Sequence, residues 1–342
     1  MERKNIIKSI RLLLLSICSV IILFVATALI YLYFPNIFNK KNDTGSYTIY
    51  KLNYNTDKLS NNIKNDEIKY GFQLFQNTPE YIGPNNKYNN KVYSGNNLSC
   101  TNCHLNAGTK AYSAPLIGVN NRFPQYRGRE NKMGTLEERI NGCMERSMNG
   151  IVLPVDSKEM IAMISYMKWI SRYAPDDGIV KGSGFLPITI PDRSVNLNNG
   201  ENIYDMHCVI CHEKDGSGQK MPNSDRYLYP PLWGNDAYNH GAGMTRVITA
   251  AKFIKANMPQ GIEFSEPTLT DEECYDVAGY INQQFRPLKE NSEIDFPDIK
   301  KKPVSTPYPP YDDYFSVKQH QLGPFQPIME YYKNKYGIAK TK

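Results

Sequence analysis

The sequence predicts a mainly α-helical protein in which two similar domains follow an N-terminal transmembrane helix. Two observations carry this prediction. The first is an uncharged apolar run from Leu12 to Phe34, close to the N-terminus. The second is a Cys-x-x-Cys-His motif that occurs twice, with helix-forming segments in the same order around each copy. A repeated order of elements around a repeated motif indicates a duplicated small domain.

The apolar run is long enough for a membrane span, which needs about 20 residues. The cations that precede it are Arg3, Lys4, Lys8 and Arg11. Positive charge at this end predicts that the N-terminus stays in the cytoplasm and that the rest of the chain lies on the outer, periplasmic face. The alternative is a signal peptide cleaved after Ala28, which would leave a soluble periplasmic protein. Signal peptides usually have apolar cores of about 7–15 residues, so the length favours an uncleaved anchor.

The charge of the chain argues against nucleic acid as a partner. The formal net charge is +6, and the first eleven residues supply about half of it. The remainder is only mildly basic, whereas nucleic-acid-binding domains carry a strongly basic face. Any binding of anions must therefore come from local arginines.

The repeated motif predicts two covalently bound haem c groups. The copies are Cys100-Thr101-Asn102-Cys103-His104 and Cys208-Val209-Ile210-Cys211-His212. Two thiols at this separation can each bond one vinyl group of a porphyrin, and the following histidine can ligate the iron. A zinc site would need a further pair of ligands, and a redox dithiol would not explain the recurring histidine. We therefore expect Cys100, Cys103, Cys208 and Cys211 to attach haem, with His104 and His212 as iron ligands.

The elements around each motif are those of a small class I cytochrome c domain. In the second half, a helix containing Gly200 precedes the motif, and Thr270 with Glu273 forms a capping box that opens the last helix. In the first half, the segments 70–75 and 157–173 take the same roles. We expect an anchor at 1–40, cytochrome c domains at 45–180 and 190–290, and an extended Pro- and Tyr-rich tail at 291–342.

The sixth iron ligands are less tightly specified by the residues. For the second haem we expect Met258, because the proline after it stiffens the loop; Met244 and His240 are the alternatives. The first half has no Met-Pro pair. At the corresponding place it has Cys143, a thiolate candidate that would lower the reduction potential of the iron. Met144 and Met148 compete with it, and a lone cysteine is most often a buried apolar residue.

The soluble chain resembles the dihaem thiosulfate dehydrogenases, which also include tetrathionate reductases. The resemblance runs from NNLSCTNCH through ERINGCMERSMNG to CVICH, PPLWG, GAGM and FIKANMP. The ERINGCMERSMNG block is its specific part. The resemblance implies a catalytic first haem with Cys143 as distal ligand and a relay haem with Met258. It also implies that Arg129, Arg139 and Ser147 lie in the substrate site.

The activity implied by this resemblance is the joining of two thiosulfate ions into tetrathionate with release of two electrons, or the reverse. Arg129 and Arg139 would hold the dianions, Ser147 would give a neutral hydrogen bond, and Cys143 would carry a transient sulfur adduct. A small c-type cytochrome or a membrane redox chain would exchange the electrons. In some relatives a lysine beside the relay methionine competes for the iron; here Asn257 stands there, which favours a fixed His/Met relay.

Three other functions fit parts of the pattern. The main alternative is a dihaem electron-transfer cytochrome without a substrate of its own, in which Cys143 is merely structural. A dihaem peroxidase would need a distal acid–base group, and the five histidines offer no obvious one. A haem-bearing binding protein for sulfur carriers would not turn over free thiosulfate.

Overall fold

The structure is a computed structural model that describes residues 2–33, 47–86 and 91–341. The chain divides into two compact units, the first ending at Thr48 and the second beginning at Ile49. The predicted boundaries at residues 40 and 45 lie outside the described residues, as does Phe34 at the end of the predicted span.

The first unit contains one long helix, α1, which runs from Glu2 to Tyr33. Its stretch Ile10–Thr27 is long and apolar enough to cross a membrane, and the side chains of this stretch are exposed. A signal sequence satisfies the same criterion. The helix therefore agrees with either of the two predicted roles of the N-terminal segment.

The second unit is mainly helical, as the sequence predicts. Its helices are α2 Ile63–Gln76, α3 Thr78–Ile82, α4 Leu105–Gly108, α5 Leu136–Met144, α6 Lys158–Ile170, α7 Leu197–His207, α8 Val209–His212, α9 Val247–Asn257, α10 Asp271–Asn282, α11 Val317–Leu322 and α12 Gln326–Tyr336. Two short antiparallel hairpins pair β1 Gln125–Arg127 with β2 Lys132–Gly134, and β3 Gln219–Lys220 with β4 Tyr227–Tyr229.

The same helix crossing occurs in both halves of the second unit. Helix α2 packs on α6 in the first half, and α7 packs on α10 in the second. Each crossing has a glycine at the point of closest approach. A Cβ at Gly71 would lie 2.1 Å from the carbonyl oxygen of Ala162, and one at Gly200 would lie 2.3 Å from that of Asp276. Glycine allows the backbones to approach this closely because it has no side chain.

Capping boxes fix the starts of two helices, one in each half of the second unit. At the start of α10, the Glu273 carboxylate accepts a hydrogen bond from the Thr270 backbone N–H at 2.8 Å, and Thr270 Oγ1 accepts one from the Glu273 N–H. Thr135 and Glu138 form the same reciprocal pair at the start of α5. The second box was not predicted, and it sets where the helix that carries Cys143 begins.

The prediction of an extended tail at 291–342 was wrong, because this segment contains α11 and α12. Phe325 and Ile328 are fully buried in the apolar core of the second half, and Tyr332 packs beside them. The four-residue spacing of Ile328 and Tyr332 places both on one face of α12. The high content of proline and tyrosine hid this short amphipathic pattern. Nearer its start, the segment reaches the first half, where the Phe296 N–H donates to the Arg129 carbonyl at 2.7 Å.

Candidate haem sites and an arginine-rich centre

The two motif histidines have equivalent hydrogen bonds. His104 Nδ1 lies 2.7 Å from the carbonyl oxygen of Ala114, and His212 Nδ1 lies 2.8 Å from that of Pro230. A carbonyl can only accept, so Nδ1 carries the proton and Nε2 is left with a lone pair. This is the arrangement that orients an iron-ligating histidine. The two halves reach it with different loop sequences.

The space beside the second motif fits a haem. A cavity of about 650 Å³ is lined by Cys208, Cys211, His212 and Met258. Most of its remaining wall is apolar, from residues such as Leu232, Tyr229, Met244, Phe253, Ile254, Leu269 and Ile281. Two thiols, an imidazole with a free nitrogen, a thioether and an apolar enclosure are the groups that a haem c requires. Among the described residues, no cluster of three or more His, Cys, Asp or Glu side chains would suit a bare metal ion.

The candidates for the sixth ligand of the second haem separate in the structure. Met258 and Met244 both line the cavity, whereas His240 does not. His240 Nδ1 accepts a hydrogen bond from the backbone N–H of Lys289 at 2.8 Å, so its ring is engaged elsewhere. Lys255 forms an ion pair with Asp271 at 3.0 Å. The assignment of Met258 stays a prediction, with Met244 as its remaining competitor.

The first motif lies beside Cys143, which is in the last turn of α5. Cys143 Sγ accepts a hydrogen bond from Arg139 Nη1 at 2.9 Å, and the side chain of His104 is also within hydrogen-bonding reach of the thiol. Burial opposes ionisation of the thiol, but the Arg139 guanidinium and the charged form of His104, protonated at Nε2 as well, outweigh it and lower its pKa to about 6. Met144 and Met148 are instead buried in the apolar core. Of these three candidates, Cys143 is the one beside the motif histidine.

The two cysteines of the first motif behave in the opposite way. Burial raises the pKa of Cys100 to about 11 and that of Cys103 to about 12, and the nearby Cys143 adds to both increases. Three thiols therefore lie close together around His104, and only Cys143 among them favours the thiolate. A thiolate is the form that ligates iron and attacks sulfur.

Arg129 and Arg146 share one buried carboxylate. Arg129 Nη1 lies 2.6 Å from Asp295 Oδ2, and Arg146 Nη2 lies 2.5 Å from Asp295 Oδ1. Burial raises the pKa of Asp295, but the two guanidinium groups outweigh it and lower the value to about 2. Arg146 also donates to the carbonyl of Gly142 at 3.2 Å. Arg146 thus connects the carboxylate to the residue next to Cys143.

Gly142 leaves room for two guanidinium groups beside Cys143. A Cβ at this position would lie 3.1 Å from Arg127 Nη2 and 3.3 Å from Arg146 Nη1. Arg127 forms an ion pair with Glu130 at 2.9 Å, while its Nη1 is buried without a hydrogen-bond partner among the described residues. The result is a group of arginines packed against the end of α5.

The structure brings some of the predicted site residues into direct contact and leaves others apart. Arg139 contacts Cys143. Arg129 does not contact Cys143 in this way: it pairs with Asp295, and Arg146 pairs with the same carboxylate. Ser147 is half-buried in the turn after α5, where its carbonyl accepts a hydrogen bond from Asn96 at 2.9 Å.

Sequence reasoning missed several residues of this centre. Besides Arg127, Arg146 and Asp295, they are Tyr308, which donates to Asp295 at 3.0 Å, and Arg246 and Lys302, whose charges interact with that of Asp295. Arg127 is two positions before Arg129, and Arg146 is three positions after Cys143, so their proximity in sequence to predicted site residues was an available signal. Asp295 follows Arg146 by 149 positions, and no local pattern in the sequence connects the two.

Comparison with known proteins identifies the two halves. Residues 86–175 match the family model described as SoxA/TsdA, cytochrome c domain. Residues 195–281 match the model described as Cytochrome C oxidase, cbb3-type, subunit III. Two cytochrome c domains in tandem imply haem c as the cofactor.

Several proteins that are similar to this chain are named thiosulfate dehydrogenase. The thiosulfate dehydrogenase of Allochromatium vinosum is 44% identical over 200 residues, which cover 57% of this chain and 72% of that protein. The thiosulfate dehydrogenase of Psychrobacter arcticus is 39% identical over 233 residues, covering 68% of this chain and 67% of that protein. The solved structure of thiosulfate dehydrogenase TsdBA from Marichromatium purpuratum is 33% identical in sequence, with a TM-score of 0.62. The match covers 69% of this chain and 49% of that one, so this chain spans about half the length of that relative. The chain therefore belongs to the thiosulfate dehydrogenase family of cytochrome c oxidoreductases.

Proposed function

We propose that this chain interconverts two thiosulfate ions and one tetrathionate ion, with transfer of two electrons, at the centre around Cys143. In the oxidative direction a sulfur–sulfur bond forms between the outer sulfurs of the two thiosulfates, and two electrons leave. The observation that carries the proposal is a thiol of lowered pKa beside His104 and Arg139, at the edge of an arginine group. The names of its relatives support the same reaction.

The arginines answer the main electrostatic obstacle of this reaction. At 4 Å, two unit charges repel by about 4 kcal/mol in an intermediate dielectric, and two dianions repel by more. Guanidinium groups are permanently charged, and their forked N–H donors match the oxygens of a sulfonate. Arg139 is exposed and Arg129 keeps 15% of its side chain accessible, so both remain available to an anion. Ser147 would add an uncharged donor.

Cys143 gives the reaction a covalent route. Its thiolate and the outer sulfur of one thiosulfate form a Cys–S–S–SO₃⁻ adduct, and two electrons are lost in this step. The second thiosulfate then attacks the adduct at the outer sulfur derived from the first. Tetrathionate leaves, and the Cys143 thiolate is restored. Arg139, 2.9 Å from the sulfur, stabilises the thiolate at the start and at the end.

We propose that the electrons pass directly from the first site to the second. When bound, the two covalently attached haems supply two one-electron acceptors, one for each electron released. Cys103 and its neighbour Asn102 line the same cavity as Cys208, Cys211 and Met258. This shared wall supports a direct relay from the centre at Cys143 to the second half. From there a small c-type cytochrome or a membrane redox chain would exchange electrons with the protein.

We further propose that α1 anchors the protein and that the second unit lies on the periplasmic face. The apolar stretch Ile10–Thr27 and the cations before it support this orientation. Cleavage of the segment would instead give a soluble periplasmic protein. Detection of residues 1–30 by mass spectrometry of the mature protein from membranes would support the anchor, and their loss would contradict it.

The test of the proposed reaction is turnover in both directions. The full chain with both haems is supplied with thiosulfate and an artificial one-electron acceptor, and tetrathionate is measured. The reverse assay uses tetrathionate and a reduced dye. We expect turnover in at least one direction. Absence of turnover in both, with two intact haems, would leave the electron-transfer cytochrome as the better account.

A further inference from the structure

Four cationic side chains surround one carboxylate in the centre described above. Arg129 and Arg146 occupy both oxygens of Asp295. Arg246 lies close enough to Arg129 and Arg146 for the three charges to repel one another, and Lys302 feels the charges of Arg129 and Arg246. Arg146 also lies 3.7 Å from the carboxylate of Glu145. Two carboxylates do not neutralise four cations.

Arg246 is the member of this group without a protein partner. Throughout residues 2–33, 47–86 and 91–341, no side chain or carbonyl accepts a hydrogen bond from its guanidinium group, and no carboxylate pairs with it. Its guanidinium carbon lies 5.8 Å from the centre of the Phe296 ring, and that of Arg129 lies 5.0 Å from the same ring. Burial and the neighbouring arginines lower its pKa to about 9, so it is still charged at neutral pH.

Arg246 is only partly exposed, and its Nε is fully buried without a hydrogen-bond partner among the described residues. A largely enclosed charge of this kind beside like charges is unfavourable unless something neutralises it. Lys302 cannot do so, because it is itself a cation whose ammonium donates to the Pro310 carbonyl at 3.1 Å. Tyr308 donates to Asp295 at 3.0 Å. A partner that would also offset the excess positive charge is an anion from solution, and the forked guanidinium favours an oxyanion with several oxygens.

We propose that Arg246, a residue of the second cytochrome c half, is a substrate-binding residue that holds a sulfonate group together with Arg129. The inference rests on the proposed function for the identity of the anion. Under this proposal the cations form two groups. Arg139 and Arg127 lie near Cys143, and Arg129 and Arg246 lie near Phe296. Arg146 lies between the two groups. Tetrathionate carries one sulfonate at each end, and two thiosulfates present the same pair of charges. Two separated groups of arginines suit such a pair.

The test uses the full chain with its haems and the variants Arg246→Gln and Arg246→Lys. We expect the KM for thiosulfate to rise about tenfold or more in Arg246→Gln, with kcat changed by less than about threefold. Arg246→Lys keeps the positive charge but loses the forked pair of N–H donors. Its KM should therefore lie between those of the wild type and Arg246→Gln. Arg172→Gln is the matched control, because Arg172 is an exposed arginine stacked on Trp169, outside the centre. It should keep the wild-type KM.

A second measurement separates binding from turnover and from folding. Tetrathionate is added to the fully oxidised protein, where no electrons are present to reduce it, and the unfolding temperature is measured. We expect tetrathionate to stabilise the wild type and Arg172→Gln but not Arg246→Gln. Without anion, Arg246→Gln should unfold at the wild-type temperature or higher, because an unpaired charge has been removed. A marked loss of stability there would show a structural role and overturn the inference.

The two proposals can fail separately. If the wild type turns over and Arg246→Gln keeps both its KM and its stabilisation by tetrathionate, the role of Arg246 is wrong and the proposed function stands. If the wild type does not turn over in either direction, the proposed function is wrong. If tetrathionate then still stabilises the wild type but not Arg246→Gln, the anion site at Arg246 is supported. If tetrathionate does not stabilise the wild type, the anion site is wrong.

Discussion

At the scale of single residues, the chemistry depends on how α5 ends. Arg139 and Cys143 are four positions apart, so they lie one above the other on the same face of the helix. This spacing explains the contact of 2.9 Å between the guanidinium and the sulfur. Gly142, between them in sequence, allows Arg127 and Arg146 to approach from the other side. The charge around the thiol thus comes from Arg139 on the same helix face and from the arginines that pack against Gly142.

Replacement of Cys143 by serine should abolish most of the activity. The hydroxyl of serine neither ionises at neutral pH nor exchanges with sulfur, so we expect kcat to fall by about 10²-fold or more. Turnover with thiosulfate and an artificial acceptor measures this. Cys274→Ala is the control, since Cys274 is a buried thiol of α10 in the core of the second half. Normal turnover in Cys143→Ser would exclude the covalent route.

Replacement of Arg139 by glutamine should weaken substrate binding more than it slows the reaction at saturation. A charged hydrogen bond contributes about 1.5–3 kcal/mol, which corresponds to a rise in KM of about tenfold or more. Arg193→Gln is a suitable comparison, because Arg193 pairs with Asp276 in the second half. If both variants show the same KM, Arg139 does not bind the substrate.

Replacement of Asp295 by asparagine should destabilise the protein in a pH-dependent way. The folded pKa of Asp295 is about 2, below its ordinary 3.8, so its ionised form stabilises the fold above about pH 4. This contribution is lost as the pH falls from 3.8 towards 2. We expect Asp295→Asn to lower the free energy of unfolding by about 2–3 kcal/mol at pH 7.

Chemical unfolding at pH 7, 4 and 3 tests this prediction. The difference between the wild type and Asp295→Asn should shrink at the lowest pH, because Asp295 of the unfolded wild-type chain, with its ordinary pKa of 3.8, is then largely protonated and folding must release that proton. An equal difference at pH 7 and pH 3 would show that the ion pairs with Arg129 and Arg146 do not stabilise the fold.

The site residues that the sequence revealed are those whose chemistry is local. The Cys-x-x-Cys-His motifs specify their own role, and Cys143 was noticed because a lone cysteine followed a glycine among charged residues. Asp295 and Arg246 could not be found in this way. Both come from distant segments, and an isolated aspartate or arginine in sequence is indistinguishable from a member of a surface ion pair. Only folding places them beside Arg129.

At the scale of elements, helices with clear caps were predictable and those of the C-terminal segment were not. The capping box at Thr270 marked the start of α10 correctly. Helix α12 begins with proline at its second position and ends before Gly337, which are ordinary start and stop signals. These signals did not lead to a helix prediction, because the segment as a whole is rich in proline and tyrosine. Composition over 50 residues was thus a poorer guide than the local pattern over eleven.

Truncation of one buried side chain tests the contribution of α12. Ile328 is fully buried, so Ile328→Ala should lower the free energy of unfolding by about 2–4 kcal/mol. Ile294→Ala removes the same atoms from a side chain that is 65% exposed, and it should cost less than about 0.5 kcal/mol. Equal effects of the two variants in denaturant unfolding would mean that α12 does not belong to the core.

At the scale of the whole molecule, the two cytochrome c halves and the C-terminal segment form one compact unit. The duplication itself was readable from the repeated motif. How the two halves contact each other could not be predicted, because the residues that join them are ordinary polar ones. Asn97 donates to Asp236 at 3.0 Å, and the carbonyl of Arg146 accepts from the N–H of Asn239 at 3.1 Å. These contacts bring the second half to the arginine-rich centre of the first.

The most direct measurement is the stoichiometry of a single turnover. The fully oxidised protein is mixed anaerobically with excess thiosulfate and no external acceptor, while haem absorption and tetrathionate are followed. The account predicts one tetrathionate per protein molecule as two haems become reduced, and almost none in Cys143→Ser. Reduction of the haems without tetrathionate, or no response to thiosulfate with both haems intact, would contradict it.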